Sequence, residues 1–234
     1  MSKMFPFITK TWNPVKGCKY GCSYCAFRKL AEGRLRKLQP QVYGDGYKPK
    51  LIESRFNQRF KKGDFVFVCD MGDLFGYWVP REWILSVFYV IRQSPDATFL
   101  LLTKNPARYK EALHNIPQNC ICGATIETNR DTSRISRAPC PWDRIRALAS
   151  LEFPRKFISV EPIMDFDLNE FASWLYVPEE LEMVAVGYDN YNNGLPEPSL
   201  EKTKQLIDRL SKVTKVIPKT LRETSEEIRC NCTL

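Results

Sequence analysis

Phe65-Val66-Phe67-Val68-Cys69-Asp70-Met71-Gly72-Asp73-Leu74-Phe75-Gly76 is an apolar run of strand length that ends in a polar, glycine-bearing loop. A strand without polar alternation is one buried on both faces, as in a parallel sheet covered by helices. The same unit recurs outward in both directions. Downstream, Pro80 opens a helix over Arg81–Gln93 with Glu82 in its first turn. A buried strand at Thr98–Thr103 follows, then a short helix from Pro106 to about Leu113, a strand at Ile121–Glu127 and a helix at Trp142–Leu151. Lys156–Val160 reads as a strand ending at Glu161-Pro162, Asp167–Leu175 as a helix and Met183–Val186 as a strand. Ser199 caps a helix over Leu200–Ser211, because its hydroxyl can accept a free N–H, and Lys215–Ile217 is the last strand. Upstream, Phe5–Thr11 reads as the first strand, Ala26–Leu38 as a helix with a basic face and Lys50–Phe60 as a second helix.

About seven strands, most separated by a helix, predict an α/β fold with a parallel sheet and outer helices. Seven units fall short of a closed eight-fold barrel, so a partial (β/α)6-7 TIM-like barrel is expected, with an open doubly wound sheet as the alternative. No linker or low-complexity tract interrupts the chain. Residues 1–234 therefore read as one domain, with a basic helical insertion at about 26–62 and a polar tail from about 220. In either architecture chemistry belongs at the carboxyl ends of the strands. Those ends carry Trp12, Asn13 and three cysteines, then Asp70, Met71, Gly72 and Asp73, then Thr103, Lys104 and Asn105. Glu127, Thr128, Asn129 and Arg130 follow, then Glu161, then Gly187, Tyr188 and Asp189, and finally Lys219.

The 234 residues are 44% hydrophobic and 26% charged, which excludes a wholly disordered chain. No window approaches ~18 uninterrupted apolar residues, so no membrane span is expected. The N-terminus has no apolar region of signal-peptide length, and a cytoplasmic location is expected. The formal charge is +8. It is local: residues 28–62 hold eleven Lys and Arg against Glu32, Asp45 and Glu53, and the rest of the chain is balanced. Such a block can meet nucleic acid or another polyanion, or simply form a solvated helix and loop surface.

Nine cysteines, at 18, 22, 25, 69, 120, 122, 140, 230 and 232, are an odd number in a chain without a signal peptide. Metal or redox chemistry explains them better than a disulfide framework. Cys69 reads as a small buried residue. Cys18, Cys22 and Cys25 sit in one loop, Gly17-Cys18-Lys19-Tyr20-Gly21-Cys22-Ser23-Tyr24-Cys25. Soft thiolates suit zinc and iron–sulfur clusters, but a structural zinc site takes four protein ligands and this loop supplies three. The sole histidine, His114, reads as a surface or packing residue. Three ligands leave one metal position open for a substrate or cofactor. Cys120, Cys122, Cys140, Cys230 and Cys232 could serve a second metal site, although their spacing does not show that they meet.

The Cys-x-x-x-Cys-x-x-Cys spacing after the first strand of a partial barrel, with Tyr24 before the last cysteine, resembles the radical S-adenosylmethionine superfamily. Thr11-Trp12-Asn13-Pro14-Val15 with Gly17-Cys18, together with the Asp-rich loop after the second strand, resembles a phage-associated three-Cys-motif branch. The spore photoproduct lyase group is a more distant relative by the same motif. The resemblance implies that Cys18, Cys22 and Cys25 hold three irons of a 4Fe–4S cluster. S-adenosylmethionine would chelate the fourth iron and be cleaved by one electron from a reductant such as flavodoxin or ferredoxin. The resulting 5′-deoxyadenosyl radical would abstract hydrogen from a substrate, with a nucleic acid or nucleotide as the preferred class. Asp70-Met71-Gly72-Asp73 would face the cofactor's ammonium, although it departs from the usual Gly-Gly-Glu-like stretch. Lys104 or Arg130 would meet its carboxylate and Glu127 or Asn129 its ribose. Tyr24 and Gly187 would line the adenine, and Glu161 would serve cofactor or substrate. The rival reading is a non-catalytic zinc or iron–sulfur protein that binds nucleic acid through the 28–62 block.

Overall fold

The structure is a computed structural model that describes residues 4–223. Its strands are β1 (Lys10–Trp12), β2 (Val15–Lys16), β3 (Lys50–Leu51), β4 (Phe65–Val68), β5 (Thr98–Thr103), β6 (Cys120–Thr125), β7 (Lys156–Val160), β8 (Leu181–Val186) and β9 (Lys215–Pro218). Seven of them form one parallel sheet in the order β1-β4-β5-β6-β7-β8-β9, and β2 pairs antiparallel with β3. A doubly wound sheet reverses its strand order at a switch point. Here the order runs straight through, which is the winding of a barrel, and the chain adopts the partial TIM-like α/β barrel expected from its sequence.

Between the strands run the helices α4 (Arg81–Arg92), a 3₁₀ stretch Pro106–Asn115, α5 (Pro141–Ala149), α6 (Leu168–Tyr176) and α7 (Leu200–Leu210). Each presents an apolar face to one side of the sheet. Val66, Phe99, Cys120 and Cys122 pack under α4 with Ile84 and Val87, while Ile158, Val184 and Ile145 pack under α5 to α7. The opposite side chains, Phe67, Leu100, Ile121, Phe157, Ala185 and Ile217, converge on the barrel interior. Phe5 and Ile8 join that interior cluster, with Phe5 edge-on to Phe157 at 5.2 Å and Phe7 against Phe65 at 4.8 Å. The N-terminal segment therefore plugs the barrel beside Phe65, where β4 begins. This is why the first strand is Lys10–Trp12 and not Phe5–Thr11: its apolar leader is used as a plug.

The insertion after β2 departs from expectation in one place. α1 (Ala26–Leu30) continues through a π-type stretch, Ala31–Leu35, into α2 (Arg36–Leu38) and α3 (Pro40–Tyr43). The helix expected at Lys50–Phe60 is instead β3 followed by a 3₁₀ turn, Glu53–Asn57. Long-range pairing overrides local helix formation there. Leu51 registers with Val15, Trp12 Nε1 donates to the Arg55 carbonyl at 2.9 Å, and Arg55 donates back to the Asn13 carbonyl at 2.8 Å. No helix among the described residues is long and apolar enough to cross a membrane.

Candidate metal centre at the barrel rim

The three-cysteine loop begins where β2 ends and is fixed from three sides. Gly17 has φ +86°, and a Cβ there would stand 2.3 Å from the Lys48 carbonyl oxygen, so the turn into Cys18 admits only glycine. Gly17 N donates to the Met71 carbonyl at 2.8 Å, joining the loop to the turn after β4. Asn13 secures the same turn: its Oδ1 accepts from Met71 N at 2.8 Å, and its Nδ2 donates to Asp70. Cys25 caps α1, its sulfur accepting from Arg28 N at 3.4 Å. The third support is the segment after β6. Ser23 N donates to the Ile135 carbonyl at 2.9 Å and Arg137 N to the Tyr20 carbonyl at 2.8 Å. Ser136 Oγ lies 3.1 Å from Cys22 Sγ.

All three thiols are free and half-buried. Burial, then the Asp73 carboxylate and the neighbouring thiols, push Cys18 far above its ordinary pKa, and burial likewise raises Cys25. A cationic centre that takes thiolates relieves this arrangement, and three soft sulfurs on one short loop are the donor set of an iron–sulfur cluster. Among the described residues no three His, Cys, Asp or Glu side chains converge on a single-ion site. A four-iron cluster takes each cysteine on a different iron, so its ligands need only surround a common space. Tyr20 Oη and Arg144 Nη2 are buried donors without a hydrogen-bond partner among the described residues, and the two residues are close enough to interact electrostatically.

Tyr24 links the loop to a buried charge network. Its hydroxyl donates to Glu127, which also holds Lys104 on one oxygen and Arg144 on the other, at 2.7 Å. Arg144 is fully buried and donates again to the Thr125 carbonyl at 2.6 Å and the Pro139 carbonyl at 2.8 Å. Burial alone would raise the Glu127 pKa, but Arg144, Lys104 and the Tyr24 hydroxyl together bring it down to about 2. Lys104 also lies 5.3 Å from the Tyr24 ring centre.

The remaining expected residues separate into three groups. Asp73 is buried and accepts from Thr103 Oγ1 at 2.7 Å, Lys104 N at 3.0 Å and Phe75 N at 3.0 Å, so it ties β4 and β5 together at the rim. Asp70 and Met71 flank the cysteine loop through Asn13 and Gly17, and Gly72 bridges to Gly17, where a Cβ would meet Gly17 backbone at 3.0 Å. Asn129 and Arg130 turn outward: Asn129 donates to Glu170 at 2.7 Å, and half-exposed Arg130 pairs with Asp165 and Asp167. Glu161 pairs with Lys219 at 2.9 Å. A Cβ on Gly187 would stand 2.7 Å from the Glu161 carboxylate, so the glycine makes room for that pair. His114 is exposed. Cys69, Cys120 and Cys122 are buried between sheet and helices, Cys140 is exposed ahead of α5, and Cys230 and Cys232 lie outside the described residues. Sequence reasoning places Asn13 at the end of the first strand without giving it a role, and misses Ser136 and Arg144 as members of the site.

A family model described as a protein of unknown function, DUF5131, matches residues 3–188. No curated protein matches the chain. Solved structures do. A spore photoproduct lyase mutant with bound AdoMet and dinucleoside spore photoproduct aligns at TM-score 0.56 and 13% identity, covering 86% of this chain and 61% of that one. Spore photoproduct lyase complexed with dinucleoside spore photoproduct aligns at TM-score 0.54 and 14% identity, covering 85% and 59%. A further mutant of that lyase aligns at 0.55 and 14%, covering 88% and 62%. The chain thus has the fold of that enzyme and spans about three fifths of its length.

Proposed function

The chain belongs to the DUF5131 family, and from that premise we propose that it is a radical S-adenosylmethionine enzyme. One observation carries the reading: three free, half-buried thiols on a single braced loop at the carboxyl end of β1, in the fold of spore photoproduct lyase. The matches bear on the superfamily and not on its phage-associated branch.

In this reading Cys18, Cys22 and Cys25 hold three irons of a 4Fe–4S cluster. Such a cluster, with S-adenosylmethionine, would supply one-electron reductive cleavage of the sulfonium and hence radical chemistry at a substrate carbon. The chain's own residues bind and orient. Glu127 would be the acceptor for the cofactor's ribose; Arg144 and Lys104 keep it ionised in a buried setting, and Tyr24 fixes its orientation. The unpartnered Arg144 Nη2 offers a donor to an anionic group. The turn 70–73 presents acceptors beside the cysteines. The barrel wall and the Phe5 plug exclude water from the interior.

Anaerobic reconstitution tests the ligand set. The wild type is expected to hold about four irons per chain, and Cys22→Ala to lose them while keeping the far-UV spectrum of the barrel. A colourless protein loaded with zinc, whose metal survives Cys22→Ala, contradicts the reading.

A further inference from the structure

We infer that the exposed face of residues 29–48 is the docking surface for an acidic, low-potential electron-carrier protein. The inference rests on the reading of Cys18, Cys22 and Cys25 as cluster ligands. Toward the barrel, the cysteine loop meets Tyr24, Glu127 and the segment after β6, which is the side a cofactor and substrate would occupy. Away from it, Cys18 and Cys25 pack into a small apolar cluster with buried Ala31, Tyr43 and Tyr47 and partly buried Leu35. That cluster is the underside of α1–α3. Cys18 and Cys25 thus share one packed cluster with the residues that carry the outer surface of the insertion, which offers a route for an electron arriving from outside.

The outer surface is cationic, and of its cations only Lys29 is engaged, donating to Asn193 Oδ1 at 2.6 Å. Lys29, Arg34, Arg36, Lys37 and Lys48 are exposed, and the carboxylates in the same span are Glu32 and Asp45. Asp45 is already paired with Lys16. Among the described residues, the side chains of Arg34, Arg36, Lys37 and Lys48 make no ion pair or hydrogen bond. Next to Lys37, Leu38 is 61% exposed, an apolar contact beside the cations. Small, transient, charge-steered contacts are the interfaces of redox encounter complexes. The step moves one electron and no atoms: the carrier is oxidised by one electron and the cluster reduced by one.

The rest of the basic block lies elsewhere, which argues against one continuous track for a nucleic acid. Arg55 is spent on the Asn13 carbonyl, and Lys61 and Lys62 lie in the turn before β4, at the opposite end of the sheet from the cysteines.

The test uses the full, anaerobically reconstituted chain, a purified bacterial flavodoxin as the probe, and the triple variant Arg34→Glu, Arg36→Glu, Lys37→Glu. Reduction by flavodoxin hydroquinone is expected to slow about tenfold or more at low salt and to lose its salt dependence. Calorimetric binding of oxidised flavodoxin should weaken in parallel, and reduction by dithionite should be unchanged. Leu38→Ser, which alters no charge, should weaken the same binding without affecting dithionite reduction. Unchanged flavodoxin binding and reduction in the triple variant overturn the inference. So does loss of binding to a single-stranded oligonucleotide with flavodoxin kinetics intact, which would make the face a nucleic-acid surface. If dithionite reduces no cluster even in the wild type, the cluster reading fails first, and this arm separates that failure from a failure of docking.

Discussion

Ser136 Oγ lies 3.1 Å from Cys22 Sγ and at the same time accepts from Ala138 N–H at 3.1 Å. The second bond sets the direction of the first. With one lone pair taken by the backbone, the hydroxyl proton is free to point at sulfur, and toward a thiolate it must donate. Ser136 is buried, so this bond is shielded from solvent. Hydrogen bonds to the sulfurs raise a cluster's reduction potential by stabilising the more negative state. Ser136→Ala is expected to lower the midpoint potential by on the order of 40 mV, about 1 kcal/mol for one electron. Ser136→Thr should restore it. Redox titration followed by electron paramagnetic resonance reads the shift, and an unchanged midpoint would make Ser136 a strut of the loop only.

The turn into Cys18 depends on Gly17. Alanine there has to adopt φ +86° and place its Cβ 2.3 Å from the Lys48 carbonyl oxygen. The backbone cost is about 1–2 kcal/mol before the clash is counted. Because this turn meets the loop after β4, at Met71 and Gly72, and not the strands of the large sheet themselves, Gly17→Ala should keep the barrel and lose iron binding. Iron content measured beside the circular dichroism spectrum distinguishes that outcome from global unfolding.

Arg144 and Glu127 form a fully buried pair. Removing one partner strands the other charge, so Glu127→Gln and Arg144→Met should each destabilise by about 3–5 kcal/mol. The double variant should cost less than the sum of the two, since neither charge is then left alone. Urea denaturation of the apoprotein measures all three, and strict additivity would show that the pair is not coupled.

The same pair has a pH consequence. The Glu127 pKa is held at about 2, below its ordinary value of 4.5. A depressed carboxylate contributes stability that is present above its unfolded pKa and is lost as pH falls through the folded one. Here that is about 3 kcal/mol, withdrawn between roughly pH 5 and pH 2. Burial acts oppositely on Asp70, Asp73 and Glu161, whose pKa values are raised. The readout is therefore the difference between wild type and Glu127→Gln: the stability gap between them should narrow as the pH is lowered from 6 to 3. A gap that stays constant over that range would contradict the assignment.

Much of the architecture was legible because its strands are buried on both faces. Phe65–Val68, Thr98–Thr103 and Lys156–Val160 are close to pure apolar runs, and the strands they announce appear at those positions. Glu127 and Asp73 could be placed at the rim because they follow such runs. The rest of the site is long-range. Arg144 occupies an ordinary position in an amphipathic helix, and its function depends on a carboxylate 17 residues upstream at the end of another element. Ser136 is one of several polar residues in a loop, and only the folded chain brings it to a cysteine 114 residues away. Lys50–Phe60 reads as a helix because nothing local reveals that Leu51 pairs with Val15. Charge counting found the basic block but could not see that it divides between the two ends of the sheet.

The most direct test is turnover of the cofactor. Reconstituted wild-type protein, reduced with dithionite and given S-adenosylmethionine under strict exclusion of oxygen, should form 5′-deoxyadenosine and methionine in equal amounts, detected by liquid chromatography. Cys18→Ala, Cys22→Ala and Cys25→Ala should each form neither. A reconstituted, reduced wild type that leaves S-adenosylmethionine intact, or a triple cysteine variant that still cleaves it, would contradict the account.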